Sequence, residues 1–93
     1  MAAEDDHLLL LYVYVEGMSE RRGPFREPHL ERIRAEQTAG RVIMAGALGN
    51  PPTGGAIVFR GVEPEYVEQF VAADPYVEAG LVLSYRVEPW NLL

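Results

Sequence analysis

Two histidines occur in the 93-residue chain, His7 and His29. His29 sits in GPFREPHLERIRAEQTAGR, residues 23–41, beside Pro28 and among charges, where an amphipathic helix begins. Imidazole is the side chain whose ordinary titration range spans neutral pH, so it is the natural candidate for moving a proton. A base of this kind needs a partner to fix its tautomer. One is indicated further along the chain, where the apolar stripe Val67, Phe70, Val71 continues by helical period to Asp74. A His29–Asp74 pair would orient the ring and leave its second nitrogen free for acid–base work. Arg26, one helical turn before His29, fits the holding of an anionic substrate or of Asp74 itself. Tyr76 and Phe25 fit an apolar cleft wall, with core or interface packing as the alternative for both.

Composition narrows the function classes. The apolar share of 48% fits one globular domain over residues 8–93, preceded by an acidic tail over 1–7 that is expected to be disordered. A net charge of −6, without a basic patch, disfavours nucleic acid and anionic membrane as partners. Arg21 and Arg22 read as solvated loop charges. With no cysteine, thiol nucleophiles and disulfides are excluded. LLLLYVYV is far too short to cross a bilayer, and MAAEDD does not resemble a signal peptide, so a cytoplasmic location is expected.

Leu8–Val15 is apolar in both alternating sets, the pattern of a strand covered on both faces. VEGMSERRG reads as a loop. The first helix follows, with Pro28 in its first turn and Gly40 as its cap. RVIMAGALG and AIVFRGV read as strands joined by the turn NPPTGG. EPEYVEQFVAAD reads as a second helix that ends before Pro75, and LVLSYRVEPW as a fourth strand. The order βαββαβ is that of a ferredoxin-like α+β fold with a four-stranded antiparallel sheet. Helices cover one face. Leu81, Leu83, Tyr85 and Val87, together with the first strand, are expected to make the other face apolar, and a second copy of the chain is its expected cover.

In this topology the start of the first helix and the end of the second share one edge of the sheet. A histidine at a helix N-terminus and a carboxylate at a C-terminus both oppose the macrodipole, by about 0.3–1 kcal/mol each, and pairing them would relieve this. Spacing alone leaves the alternatives open. Asp-Pro is a common helix-ending dipeptide, and a histidine in a first turn can simply bond the backbone.

REPHLERIRAEQTAGRVIMAGAL and FVAADPYVEAGLVLSYRVEPW together resemble the YciI-like, or YCII-related, proteins over about residues 8–91. ADPYVEAGL is the most specific part. The resemblance implies a dimeric α+β barrel, in which two ferredoxin-like sheets pack face to face. It also implies an active-site pair of histidine and aspartate matching His29 and Asp74. One branch of the family resembles a cofactor-free dehydrochlorinase of chlorinated hydroxyhydroquinones. Where that family commonly shows AGP after the second strand, this chain has AGALGNPP, which moves the prolines into the hairpin turn and is expected to reshape the mouth of the cleft.

No phosphate-cradling, dinucleotide or GxSxG motif occurs, and a metal site is not expected from one inward histidine without cysteines. Two readings follow. One is a cofactor-independent lyase- or isomerase-type enzyme acting through His29 and Asp74 on a small cyclic or aromatic compound. The other is a non-catalytic dimeric module that binds a small molecule or a protein through the same cleft.

Overall fold

The computed structural model describes residues 2–3 and 5–93. Strand β1 (His7–Tyr14) leads into a short helix α1 (Met18–Arg21) and the long helix α2 (Gly23–Thr38). Strands β2 (Val42–Leu48) and β3 (Gly54–Arg60) form a hairpin, followed by α3 (Pro64–Ala72), α4 (Pro75–Glu78) and β4 (Val82–Pro89). The sheet order is β2-β3-β1-β4 and every neighbouring pair is antiparallel, the ferredoxin-like arrangement expected from the sequence.

Several boundaries differ from the sequence reading, each for a local reason. His7 belongs to β1 rather than to the tail, because it pairs with Arg60. Residues 1 and 4 of that tail lie outside the described residues. The segment read as a loop contains α1, which buries Met18. Helix α2 starts five residues before Pro28, with Pro24 in the opening position, so Pro28 and His29 fall in its second turn. Gly54 and Gly55 belong to β3 rather than to the turn. A side chain at Gly54 would place its Cβ 2.5 Å from the Tyr12 carbonyl oxygen, so only glycine allows that close pairing.

β1 explains the layering. Leu8, Leu10, Tyr12 and Tyr14 are buried beneath the helices, and Leu9, Leu11 and Val13 point to the open face. Register carries that division across the sheet. Phe59, Ile57 and Gly55 share the helix side with Leu8, Leu10 and Tyr12, while Val58 and Ala56 share the open side with Leu9 and Leu11. β4 departs from expectation. Tyr85 and Val87 pair with Tyr12 and Leu10 and so lie on the helix side, and Leu81 is buried ahead of the strand. Ser84, Arg86 and Glu88 occupy the open face instead. That face is therefore apolar across β1, β3 and β2 and polar at the paired positions of β4, while Leu83 falls unpaired at the bulge opposite Val13 and Tyr14 and is exposed.

Two polar contacts lock the helix layer. Arg32 of α2 donates to the Phe70 carbonyl at 2.9 Å and lies 4.3 Å over the Phe70 ring, placing a cation by the last turn of α3. Glu36, near the end of α2, accepts from Arg41 at 2.8 Å and from the Tyr66 hydroxyl at 2.8 Å. The Arg41 hydrogen bond holds the Glu36 carboxyl below its ordinary 4.5, against the opposing effect of burial and with further help from Tyr66. A depressed pKa stabilises the fold above pH 4.5, and that contribution is lost as pH falls through the folded value. Thermal melts followed by circular dichroism should therefore show a steeper acid-side loss in wild type than in Glu36→Gln. Parallel pH profiles would show that this clasp contributes nothing.

Candidate active site

Pro75 creates the site. A residue before proline is driven out of the α region, so α3 ends, and Asp74 becomes extended at φ −70° and ψ 126°. Pro75 then opens α4, with Asp74 as its N-cap accepting from the Tyr76 backbone N–H at 3.0 Å. The sequence placed Asp74 in the last turn of a helix and His29 in the first turn of another. Asp74 instead caps a helix start, the favourable polarity for a carboxylate, and His29 is held one turn deeper in α2. The anticipated dipole penalties do not bring the pair together. Burial and hydrogen bonding do.

His29 Nδ1 lies 2.8 Å from Asp74 Oδ1, and the Tyr12 hydroxyl donates to Oδ2 at 2.7 Å. Asp74 is fully buried and His29 is 5% exposed. The carboxylate thus accepts from a ring N–H, a phenol and a backbone amide. Acceptance from Nδ1–H leaves the imidazole lone pair on Nε2. Nε2 has no hydrogen bond to a described residue, and no buried side-chain polar atom among the described residues lacks a partner, so Nε2 opens to the adjoining cavity. The Tyr76 ring stacks on the imidazole with centroids 3.7 Å apart and planes inclined by 10°, closing one face of the base.

The cavity measures about 260 Å³ and lies between α2 and the sheet. Ala45, Ala47 and Gly55 supply a floor of small residues, and Leu30 and Ile33 an apolar wall. Gly55 also admits Tyr14, since a Cβ there would lie 2.5 Å from the Tyr14 hydroxyl oxygen. Burial pushes the Tyr14 phenol up to about 12, and burial plus the Asp74 charge raise Tyr12 well above the ordinary phenol range. Both therefore remain donors near neutral pH.

Of the residues singled out in the sequence, His29 and Asp74 meet, and Tyr76 and Arg26 line the cavity. Phe25 does not. It lies within α2, half-buried against the hydrophobic core, the packing alternative raised from sequence. Sequence reasoning missed Tyr12, Tyr14 and Arg22, the last of which was assigned to solvent and lines the cavity half-buried. A signal for the tyrosines was present. In the alternating set Leu8, Leu10, Tyr12, Tyr14, the two members with hydroxyls fall together at the strand's C-terminal end.

The fold and this site define a ferredoxin-like α+β domain with a buried histidine–aspartate pair beside a small cavity. The chain belongs to the YCII-related domain family, whose match spans residues 7–91. An uncharacterized protein of Haemophilus influenzae is 32% identical, in a match covering 77% of this chain and 83% of that protein. Among solved structures, similarity extends to the 5-chloro-2-hydroxyhydroquinone dehydrochlorinase TftG of Burkholderia phenoliruptrix, in complex with 2,5-dihydroxybenzoquinone. That match has a TM-score of 0.78 at 20% identity and covers 91% of this chain and 93% of the other. A protein from Agrobacterium tumefaciens matches with a TM-score of 0.58 at 9% identity, covering 92% and 91%. At these identities the structural likenesses establish the fold.

Tyr12→Phe should destabilise the protein by about 1–3 kcal/mol in chemical denaturation, because a fully buried carboxylate oxygen loses its donor. A change within a few tenths of a kcal/mol would mean that the phenol contributes only its ring.

Proposed function

We propose that the protein is a cofactor-independent enzyme in which His29 and Asp74 perform acid–base chemistry on a small cyclic or aromatic compound. The observation that carries this reading is the open Nε2 of His29, aimed into the cavity while Nδ1 is held by Asp74. Nε2 would remove a proton from the substrate, and Asp74 would stabilise the imidazolium that forms. In an elimination, the electron pair left behind forms a double bond as the leaving group departs with its own pair. In an isomerisation, the proton returns at another atom. The Tyr14 hydroxyl is placed to donate to a developing enolate or phenolate oxygen. The family membership and the likeness to a dehydrochlorinase support lyase-type chemistry on a ring.

The test is proton exchange in D₂O, followed by NMR across hydroxylated, chlorinated and keto ring compounds, with chloride release measured in parallel. His29→Gln should slow any exchange or elimination by roughly 10²–10⁴-fold, the usual contribution of a positioned acid or base. Unchanged rates in His29→Gln and Asp74→Asn would defeat the proposal.

A homodimer completes this reading. On the open face of the sheet Val13 is 49% exposed, Met44 58% and Leu48 46%, a contiguous apolar surface of the kind that another protein surface covers. A second copy of the same sheet would bury it. Sedimentation should give twice the mass of one chain for wild type and a folded monomer for a Val13→Lys, Met44→Lys double variant. A monomeric wild type would rule the homodimer out.

A further inference from the structure

The charge of the cavity runs against that of the chain. Acidic residues outnumber basic ones 14 to 8. Yet among the described residues, the permanently charged side chains lining the cavity are all arginines, Arg22, Arg26 and Arg34. Arg34 is already engaged by Glu27 at 2.6 Å. Arg22 and Arg26 form no ion pair with a described residue. Arg22 hydrogen-bonds the Tyr76 phenol, a neutral partner that leaves its charge uncompensated. Two such arginines lining a single cavity, with no carboxylate beside them in its wall, make it cationic in an anionic protein.

Their field reaches inward. Arg22 and Arg26 both oppose the upward push that burial gives the Tyr76 phenol, and Arg22 does the same at Tyr14. The two guanidiniums thus act on hydroxyls beside the base as well as on solvent. The Tyr14 hydroxyl makes no hydrogen bond to a described residue and opens to the same space, adding a neutral donor. Size sets a second limit. Pockets for drug-sized ligands run from about 300 to 1,000 Å³, so a cavity of about 260 Å³ suits one substituted ring rather than two.

We infer that this cavity selects a small single-ring compound carrying an anionic oxygen, a carboxylate, phenolate or enolate, which Arg22 and Arg26 hold at the mouth. A guanidinium presents paired donors that match a carboxylate or hold one anionic oxygen, and low-dielectric walls concentrate the field of like charges. The inference rests on the acid–base reading for where the substrate reacts, and on cavity charge for what is bound. Neither arginine is a catalytic residue here. They set substrate charge and position.

Benzoate and benzamide are matched in shape and differ in charge, so they serve as probes in an NMR titration of backbone amide shifts. Wild type should bind benzoate at least about ten-fold more tightly than benzamide at low salt, and raising the ionic strength should narrow that ratio. The Arg22→Gln, Arg26→Gln double variant should lose the preference, Arg22→Lys, Arg26→Lys should keep part of it, and His29→Gln should keep it. Far-UV circular dichroism checks the fold of each variant. Should the glutamine pair not fold, the wild-type ratio and its salt dependence decide alone. Equal affinities, binding of neither compound, or a preference that survives in the glutamine pair overturns the inference. A benzoate preference without His29-dependent proton exchange would defeat the acid–base reading and leave this one standing. His29-dependent exchange without a charge preference would do the reverse.

Discussion

A carboxylate with no exposure to solvent is the constraint around which the rest of this structure is arranged. Burying Asp74 unpartnered would cost several kcal/mol. It is tolerated because three donors converge on it from three places in the chain, the Tyr12 phenol on β1, the His29 ring on α2 and the Tyr76 amide on α4. Each donor is useful only if its element is correctly placed. Helix α2 must lie against the Asp-Pro corner, and β1 must present Tyr12 beneath both. The contacts that hold the His29 ring and the Asp74 carboxylate therefore also tie together parts of the sequence separated by 45 and 62 residues.

The same network explains why His29 differs from an ordinary buried histidine. A core histidine is satisfied at both nitrogens. Here one nitrogen is fixed by a group that only accepts, a tyrosine ring closes one face, and the second nitrogen meets the cavity. The arrangement fixes which nitrogen is held and which faces the cavity, the preorganisation that the proposed proton transfer would use.

Much of this was legible in the chain. The βαββαβ order followed from breakers and periodicity, His29 from imidazole chemistry at a helix start, and Asp74 from its place on an apolar stripe. Periodicity carried the second helix through Asp74, whereas the restriction that Pro75 places on its predecessor breaks the helix there and turns Asp74 into a cap. Likewise Pro28 looks like a helix start, but Pro24 holds that position and the helix absorbs a second proline in its next turn. Tyr12 was assigned only to the strand pattern, because a tyrosine in an apolar run does not reveal which partner its hydroxyl will find. Arg22 depends on the short helix α1 folding the loop back onto the cavity, and four residues of helix leave almost no periodic signal.

A gradient along the helix-covered side of the sheet links packing to site. On β3 the inward residues run Phe59, Ile57, Gly55, and on β2 they run Val42, Ala45, Ala47. At the large end Phe59 meets Phe70 and Tyr66 edge-on, with ring centroids 5.3 and 6.4 Å apart. At the small end the missing side-chain volume is the cavity. Enlarging Gly55 or Ala47 would improve strand propensity and apolar packing, yet it would displace Tyr14 or fill the space before Nε2. The small residues are therefore a local loss of packing that the aromatic cluster at the other end offsets, as expected where a fold keeps space for a site at some cost in stability. In a domain of this size a single core has little to spare, and concentrating its packing at one end of the sheet allows the other end to stay open.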